Sequence, residues 1–157
     1  MKTLNYIHLN SESVKPVINS LHQLLADYQV FYTNLRGFHW NIKGPYFFQL
    51  HGKFEELYNN IAEKCDEIAE RILMLGGVPS SRFSDYLKVS KIEELGVVSD
   101  GNQALDYILE KYGYFIGEER RLLHTASEAG DEATVAILSD YLREQEKLVW
   151  MLTAYRS

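Results

Sequence analysis

Four residues in one stretch of the chain have the types and spacing to hold a metal ion. His51 and Glu55 stand four apart, Asp66 and Glu70 likewise, and Glu55 precedes Asp66 by eleven. On a helix turning 100° per residue, eleven residues return to within ~20° of the starting direction, so both pairs share one broad side, alongside Tyr58, Ala62 and Ala69. Along the axis the same eleven residues span ~16.5 Å at 1.5 Å each, whereas bonds from iron or zinc to such ligands are on the order of 2 Å. One ion cannot be held by both pairs of one chain. Two copies packed antiparallel about a two-fold axis near residues 60 and 61 solve the problem, because residue i then lies opposite residue 121 − i. His51 faces Glu70 and Glu55 faces Asp66, twice per dimer, across a patch that serves both partners.

Imidazole with three carboxylates suits a divalent ion of the iron, manganese or zinc group, and a single Cys65 offers no thiolate cluster. His39, four residues after Leu35 and seven after Tyr32 on the apolar stripe of a preceding helix, completes a site for one or two ions. Each residue also has an ordinary reading. A histidine on an apolar face can be a hydrogen-bonded core residue, and Asp66 and Glu70 can be solvated positions near Lys64 and Arg71. Burying several carboxylates without a cation or proton is costly, which favours the metal.

The elements that must position these residues are helical. Ser13 can cap a first helix with Pro16 in its first turn, and Val14, Val17, Ile18, Leu21, Leu24, Leu25, Tyr28, Phe31, Tyr32, Leu35 and Phe38 follow at steps of three and four. Lys43-Gly44-Pro45 breaks the run. A second helix runs from about Tyr46 to Leu75 and stops at Gly76-Gly77 with Pro79 beyond. Residues 78–100 form a crossover of about 23 residues, with a short helix expected within Tyr86–Leu95. Asp100 caps a third helix that Gly130 ends, and Asp131 caps a fourth that reaches Leu152. No strand or internal repeat is evident. The expected fold is all-α, a four-helix bundle with one long crossover, which is the ferritin-like plan.

At 157 residues, 46% hydrophobic, residues 1–157 are expected to form one domain with a core that needs no staples. One cysteine and the absence of a secretory leader point to a reducing cytoplasm. No apolar run approaches the ~20 residues of a membrane span. The net charge of −6 opposes binding to a phosphate backbone, and residues 1–12 hold no basic tail beyond Lys2.

The string His39-Trp40-Asn41-Ile42-Lys43-Gly44-Pro45, then Phe48, His51, Phe54-Glu55-Glu56, Asp66-Glu67-Ile68-Ala69-Glu70-Arg71 and Leu75-Gly76-Gly77 resembles the Dps family of mini-ferritins. The likeness covers the whole chain in helix order and length. It implies twelve identical subunits in a hollow spherical shell and Fe(II) bound between two-fold-related subunits. It further implies oxidation of that iron, preferably by hydrogen peroxide, and ferric mineral stored inside, a ferroxidase protecting against oxidative stress. Residue by residue, His39, His51 and Glu55 come from one subunit and Asp66 and Glu70 from its mate, as the pairing rule requires. Glu55 departs from the Asp often found there, keeping the charge but adding a methylene.

The resemblance also assigns Trp40 as a trap for stray oxidising equivalents; packing at the dimer interface explains it equally well. It places ion-access pores where the fourth helix begins, with Asp131 and Asp140 as matching positions, Ala136 where some members carry a third Asp, and Glu132 as a substitute. Read alone, Asp131 is a helix cap and Asp140 a surface charge. Zn(II) and Mn(II) suit the same ligands and are expected competitors. Family members that condense DNA use lysine-rich tails, so weak or absent DNA binding is expected here. The alternatives are a nucleoid-associated DNA-protecting shell with little ferroxidase activity and a purely structural bundle. A di-iron site within one subunit needs Glu-x-x-His, but Arg36, Phe48 and Arg121 stand three before His39, His51 and His124. His8, His22, His124 and Cys65 receive no role.

Overall fold

The helical periodicity closes into six helices: α1 (Thr3–Tyr6), α2 (Lys15–Asn41), α3 (Phe47–Met74), α4 (Phe83–Val89), α5 (Gly101–Glu128) and α6 (Glu132–Arg156). This computed structural model describes residues 3–156, so Met1 and Lys2 of the N-terminal segment and Ser157 lie outside the described residues. Among the described residues there is no strand, and no helix is long and apolar enough to cross a membrane. The four long helices make two pairs, α2 with α3 and α5 with α6, and α2 also packs on α5 and α4. Between them Tyr28, Phe31, Phe38, Phe54, Ile61, Tyr112 and Phe115 are fully buried. Each large apolar side chain removed from water contributes roughly 1.5–3 kcal/mol.

Two boundaries differ from expectation, and side-chain competition explains both. Ser13 does not cap α2. Asn10 Oδ1 accepts the Glu12 and Ser13 N–H groups in a turn of its own, and Val14 enters the helix with no side-chain cap. The crossover helix occupies Phe83–Val89 rather than Tyr86–Leu95, because buried polar groups of α2 claim the chain beyond it. Asp27 accepts from Ser90 Oγ (2.9 Å) and Lys91 N–H (2.7 Å). Asn34 donates to the Glu93 carbonyl (2.9 Å) and accepts from Leu95 N–H (3.0 Å). A backbone tied to side chains in this way cannot also make its helical bonds. Asp100 caps α5 through Gln103 N–H (2.8 Å), as expected. Gly76 (φ 84°) follows the end of α3 in the left-handed conformation that glycine adopts without strain.

Among the described residues, two buried carboxylates, Asp27 and Glu119, have no counterion at bonding distance. Glu119 on α5 is fully enclosed, and its Oε1 accepts from the Tyr28 hydroxyl and from Gln145 Nε2. Desolvation pushes the carboxyl up to about 7 against those two bonds. An acid raised in the folded state stabilises the fold below its unfolded value, and that contribution is lost as pH rises through the folded one. Glu119→Gln cannot ionise. It is therefore expected to match the wild type below pH ~4.5 and to be more stable at pH 8, by about 3 kcal/mol for a shift of this size. Thermal midpoints of both proteins at pH 4.5 and pH 8 check this.

Candidate metal centre

His39 lies in the last turn of α2, where the final four carbonyls of a helix lack partners. His51 lies in the second turn of α3. The two side chains satisfy each other's backbones. His51 Nδ1 bonds the His39 carbonyl oxygen (2.8 Å), and His39 Nδ1 bonds the His51 carbonyl oxygen (2.8 Å). A carbonyl only accepts, so each Nδ1 carries a proton, and Nε2 is the nitrogen of each ring left to bind a cation. The rings stack at 3.8 Å between centroids and 20°, with Phe47 stacked on His51 at 4.9 Å and Tyr58 edge-on to His39 at 5.4 Å. Packing therefore locks the two imidazole rings side by side.

The α3 carboxylates Glu55, Asp66 and Glu70 are exposed. Among the described residues, Glu55, Asp66 and Glu70 have no ion-pair partner within the chain. The two cations that could have neutralised Asp66 and Glu70 are engaged elsewhere: Lys64 is buried against Glu144 (2.7 Å) and Arg71 against Asp131. Glu55 sits beside Tyr58, whose phenol is raised first by desolvation and then by that carboxylate. Among the described residues, no three His, Cys, Asp or Glu side chains of one chain converge on a metal position. His51 with Glu55 and Asp66 with Glu70 stand toward opposite ends of one face of α3.

That face is uncovered. Phe48, Glu55, Asn59, Ala62, Asp66 and Leu73 form an exposed stripe along α3, with Phe48 85% and Leu73 53% exposed at its two ends. Under the pairing of residue i with 121 − i, these ends match each other, Phe48 with Leu73, and Asn59 matches Ala62 at the centre. The stripe is thus complementary to itself along its length, apolar at both ends and polar between.

Comparison with known proteins shows the family. The family described as "Ferritin-like domain" matches residues 18–157. A Porphyromonas gingivalis protein named DNA protection during starvation protein is 47% identical over 98% of this chain and 97% of its own length. The chain belongs to the Dps family of ferritin-like proteins. The crystal structure of the Vibrio cholerae O1 Dps protein superimposes with a TM-score of 0.93 at 47% identity, over 95% of this chain and 94% of that one. That protein is described as a member of a broad superfamily of ferritin-like diiron-carboxylate proteins. A Bacillus brevis Dps structure matches at 34% identity, a TM-score of 0.90, and 95% and 100% coverage.

Other candidate residues of this Dps-family chain fall differently. Trp40 is 65% exposed, with the Arg36 guanidinium stacked over its ring at 4.8 Å and over Tyr32 at 5.2 Å. Asp131 is buried, and its carboxylate caps α6 at Thr134 N–H (3.0 Å), accepts from Thr134 Oγ1 and pairs with Arg71. Glu132 and Asp140 are exposed, the latter 2.9 Å from Arg143. Burial pushes the Cys65 thiol up to about 12, an inert state. His124 makes an exposed contact with Glu128, and His8 adopts a left-handed backbone (φ 56°). The reciprocal histidine bonds have no sequence signal beyond the His-x11-His spacing across a helix break.

Proposed function

We propose that two-fold-related subunits join their half-sites into a centre that binds Fe(II) and oxidises it, preferably with hydrogen peroxide, and that twelve subunits form a shell storing the ferric product. The self-complementary α3 stripe carries this reading, because its pairing brings the His39 and His51 Nε2 atoms and Glu55 of one subunit against Asp66 and Glu70 of the other. Iron is the substrate here, one or two ions per centre. Peroxide accepts two electrons, so two Fe(II) ions oxidised together avoid the one-electron step that liberates hydroxyl radical. The three carboxylates stabilise the ferric charge, and the fixed imidazoles orient the ions. Zn(II) and Mn(II) compete for the same nitrogen and oxygen donors. Exposed Glu132 and Asp140 are the carboxylates left to guide ions inward, and Trp40 is placed beside His39 to take up stray oxidising equivalents. The setting is the cytoplasm under oxidative stress or starvation.

The deciding experiment is anaerobic Fe(II) addition to metal-free protein, followed by a stoichiometric pulse of peroxide. Rapid ferric absorbance consuming about one peroxide per two irons, on a shell-sized particle, supports the reading. No acceleration over free iron overturns it.

Protection of DNA then works by removing iron and peroxide rather than by contact. Twelve chains of −6 carry −72 formal charges, which repel a phosphate backbone. A gel shift at low salt without divalent ions is expected to show no retarded band at neutral pH. Tight binding there favours the nucleoid-associated alternative.

A further inference from the structure

Among the described residues, Tyr114, Tyr141 and Tyr28 each donate to a carboxylate on another helix, and one pair stands apart. Tyr114 bonds Asp27 (2.8 Å), but Asp27 also accepts from Gln23, Ser90 and Lys91 N–H, which stabilise its charge. Tyr141 bonds Glu67 (2.6 Å), which is exposed to water. Tyr28 bonds Glu119 with both side chains fully enclosed. Glu119 Oε1 has only one other donor, Gln145 Nε2, which also donates to the Tyr28 oxygen (2.8 Å). Glu119 Oε2, Gln145 Oε1 and the Tyr112 hydroxyl are buried without partners. The cluster is short of donors for its acceptors and holds a negative charge that the low-dielectric core penalises.

Such a cluster is poised to lose an electron. We propose that Tyr28 and Glu119 form a buried redox-active pair in which the phenol is oxidised to a neutral tyrosyl radical while its proton passes to the carboxylate. The phenolic O–H bond breaks, an O–H bond forms at Glu119 Oε1, and one electron leaves Tyr28. The acceptor is a hydroxyl radical, reduced to hydroxide, formed when peroxide meets a lone Fe(II). Oxidation removes the negative charge from the core, so burial that disfavours ionised Glu119 favours the radical. Gln145 Nε2 keeps its hydrogen bond to the phenoxyl oxygen throughout.

The aromatic packing supplies a route. Phe38, adjacent to His39, contacts Tyr107 (5.4 Å between centroids). Tyr107 contacts Phe31 (6.2 Å), Phe31 contacts Phe115 (5.2 Å), and Phe115 contacts Tyr28 (4.5 Å). A radical at the end of this chain is shielded from solvent and from other radicals, and is therefore long-lived.

The source of the oxidant rests on the iron–peroxide reading above; the redox pair does not. The test is flash oxidation of the assembled, iron-free protein with a photoexcited ruthenium tris-bipyridine and a cobalt(III) acceptor, read by electron paramagnetic resonance. A long-lived tyrosyl signal is expected. It should vanish in Tyr28→Phe and fall sharply in Glu119→Gln, with shell size and helix content unchanged. Lys64 of α3, Glu144 and Tyr141 of α6 and Tyr112 of α5 also face this cluster. With Glu119 titrating about 7 among them, the wild-type yield should rise about tenfold between pH 6 and pH 8, and Glu119→Gln should lose that step. A long-lived signal that survives in Tyr28→Phe, or a Glu119→Gln protein with wild-type yield and pH profile, overturns the proposal. Should Tyr28→Phe fail to assemble, Glu119→Gln decides by itself. Slow iron oxidation with an intact flash-induced radical defeats the ferroxidase reading alone; fast iron oxidation without the radical defeats this one alone.

Discussion

Replacing His51 with alanine is expected to remove the fast phase of Fe(II) oxidation by peroxide, lowering its rate on the order of 100-fold or more. Changes to residues that merely orient a metal ligand cost 10–100-fold, and His51 stands in both positions. Its Nε2 is the proposed metal donor, while its Nδ1 holds the His39 carbonyl and its ring stacks on His39. Asp66→Ala should be equally damaging while leaving the helix intact, since Asp66 is exposed and has no ion-pair partner among the described residues. Mixing the two variants separates a shared site from one built within a single subunit. In a hybrid dimer one centre combines both mutations and the other combines none. Random co-assembly of equal amounts should therefore restore about a quarter of the wild-type rate, from two proteins each nearly inactive alone. Stopped-flow absorbance of co-refolded shells measures this. No recovery would place the ligands of each centre in one chain.

The Arg71–Asp131 pair predicts a large effect of another kind. Asp131→Ala strands a buried guanidinium, a change that costs roughly 3–5 kcal/mol, and also removes the cap of α6, about 1 kcal/mol more. A drop in melting temperature of about 10 °C or more follows for a domain of this size. Alanine at Glu132 or Asp140 should leave the melting temperature near wild type, because both side chains are exposed. A slower rate of mineral deposition in those two, measured on shells of normal size, separates carboxylates that guide ions from the one that holds α6 to α3.

Much of the bundle was legible because its signals are local. Lys43-Gly44-Pro45 and Gly76-Gly77 break the helices wherever the chain goes next. Asp100 caps α5 with a bond three residues away. Ser13 and the crossover helix were misplaced because Asn10, Asp27 and Asn34 compete for backbone groups. Two of these three reach across more than fifty residues, and polar residues on an apolar stripe do not announce what they will bind. Asp131 illustrates the same limit. Its role as a cap follows from Gly130 before it and the helix after it, but its burial follows from Arg71, sixty residues earlier.

What the sequence determined by itself is the periodic part: helix lengths, breaks, and the spacing that puts His51, Glu55, Asp66 and Glu70 on one face of α3. The period of a helix converts residue numbers directly into directions and axial distances, so no partner is needed to compute them. Only the tertiary structure decided which face stays uncovered, which nitrogen of each histidine is free, and which carboxylates are already spent. Those depend on contacts such as His39 with the His51 backbone, Arg71 with Asp131 and Tyr28 with Glu119. Each joins different helices, and the arrangement that brings them together is set by the packing of the whole core.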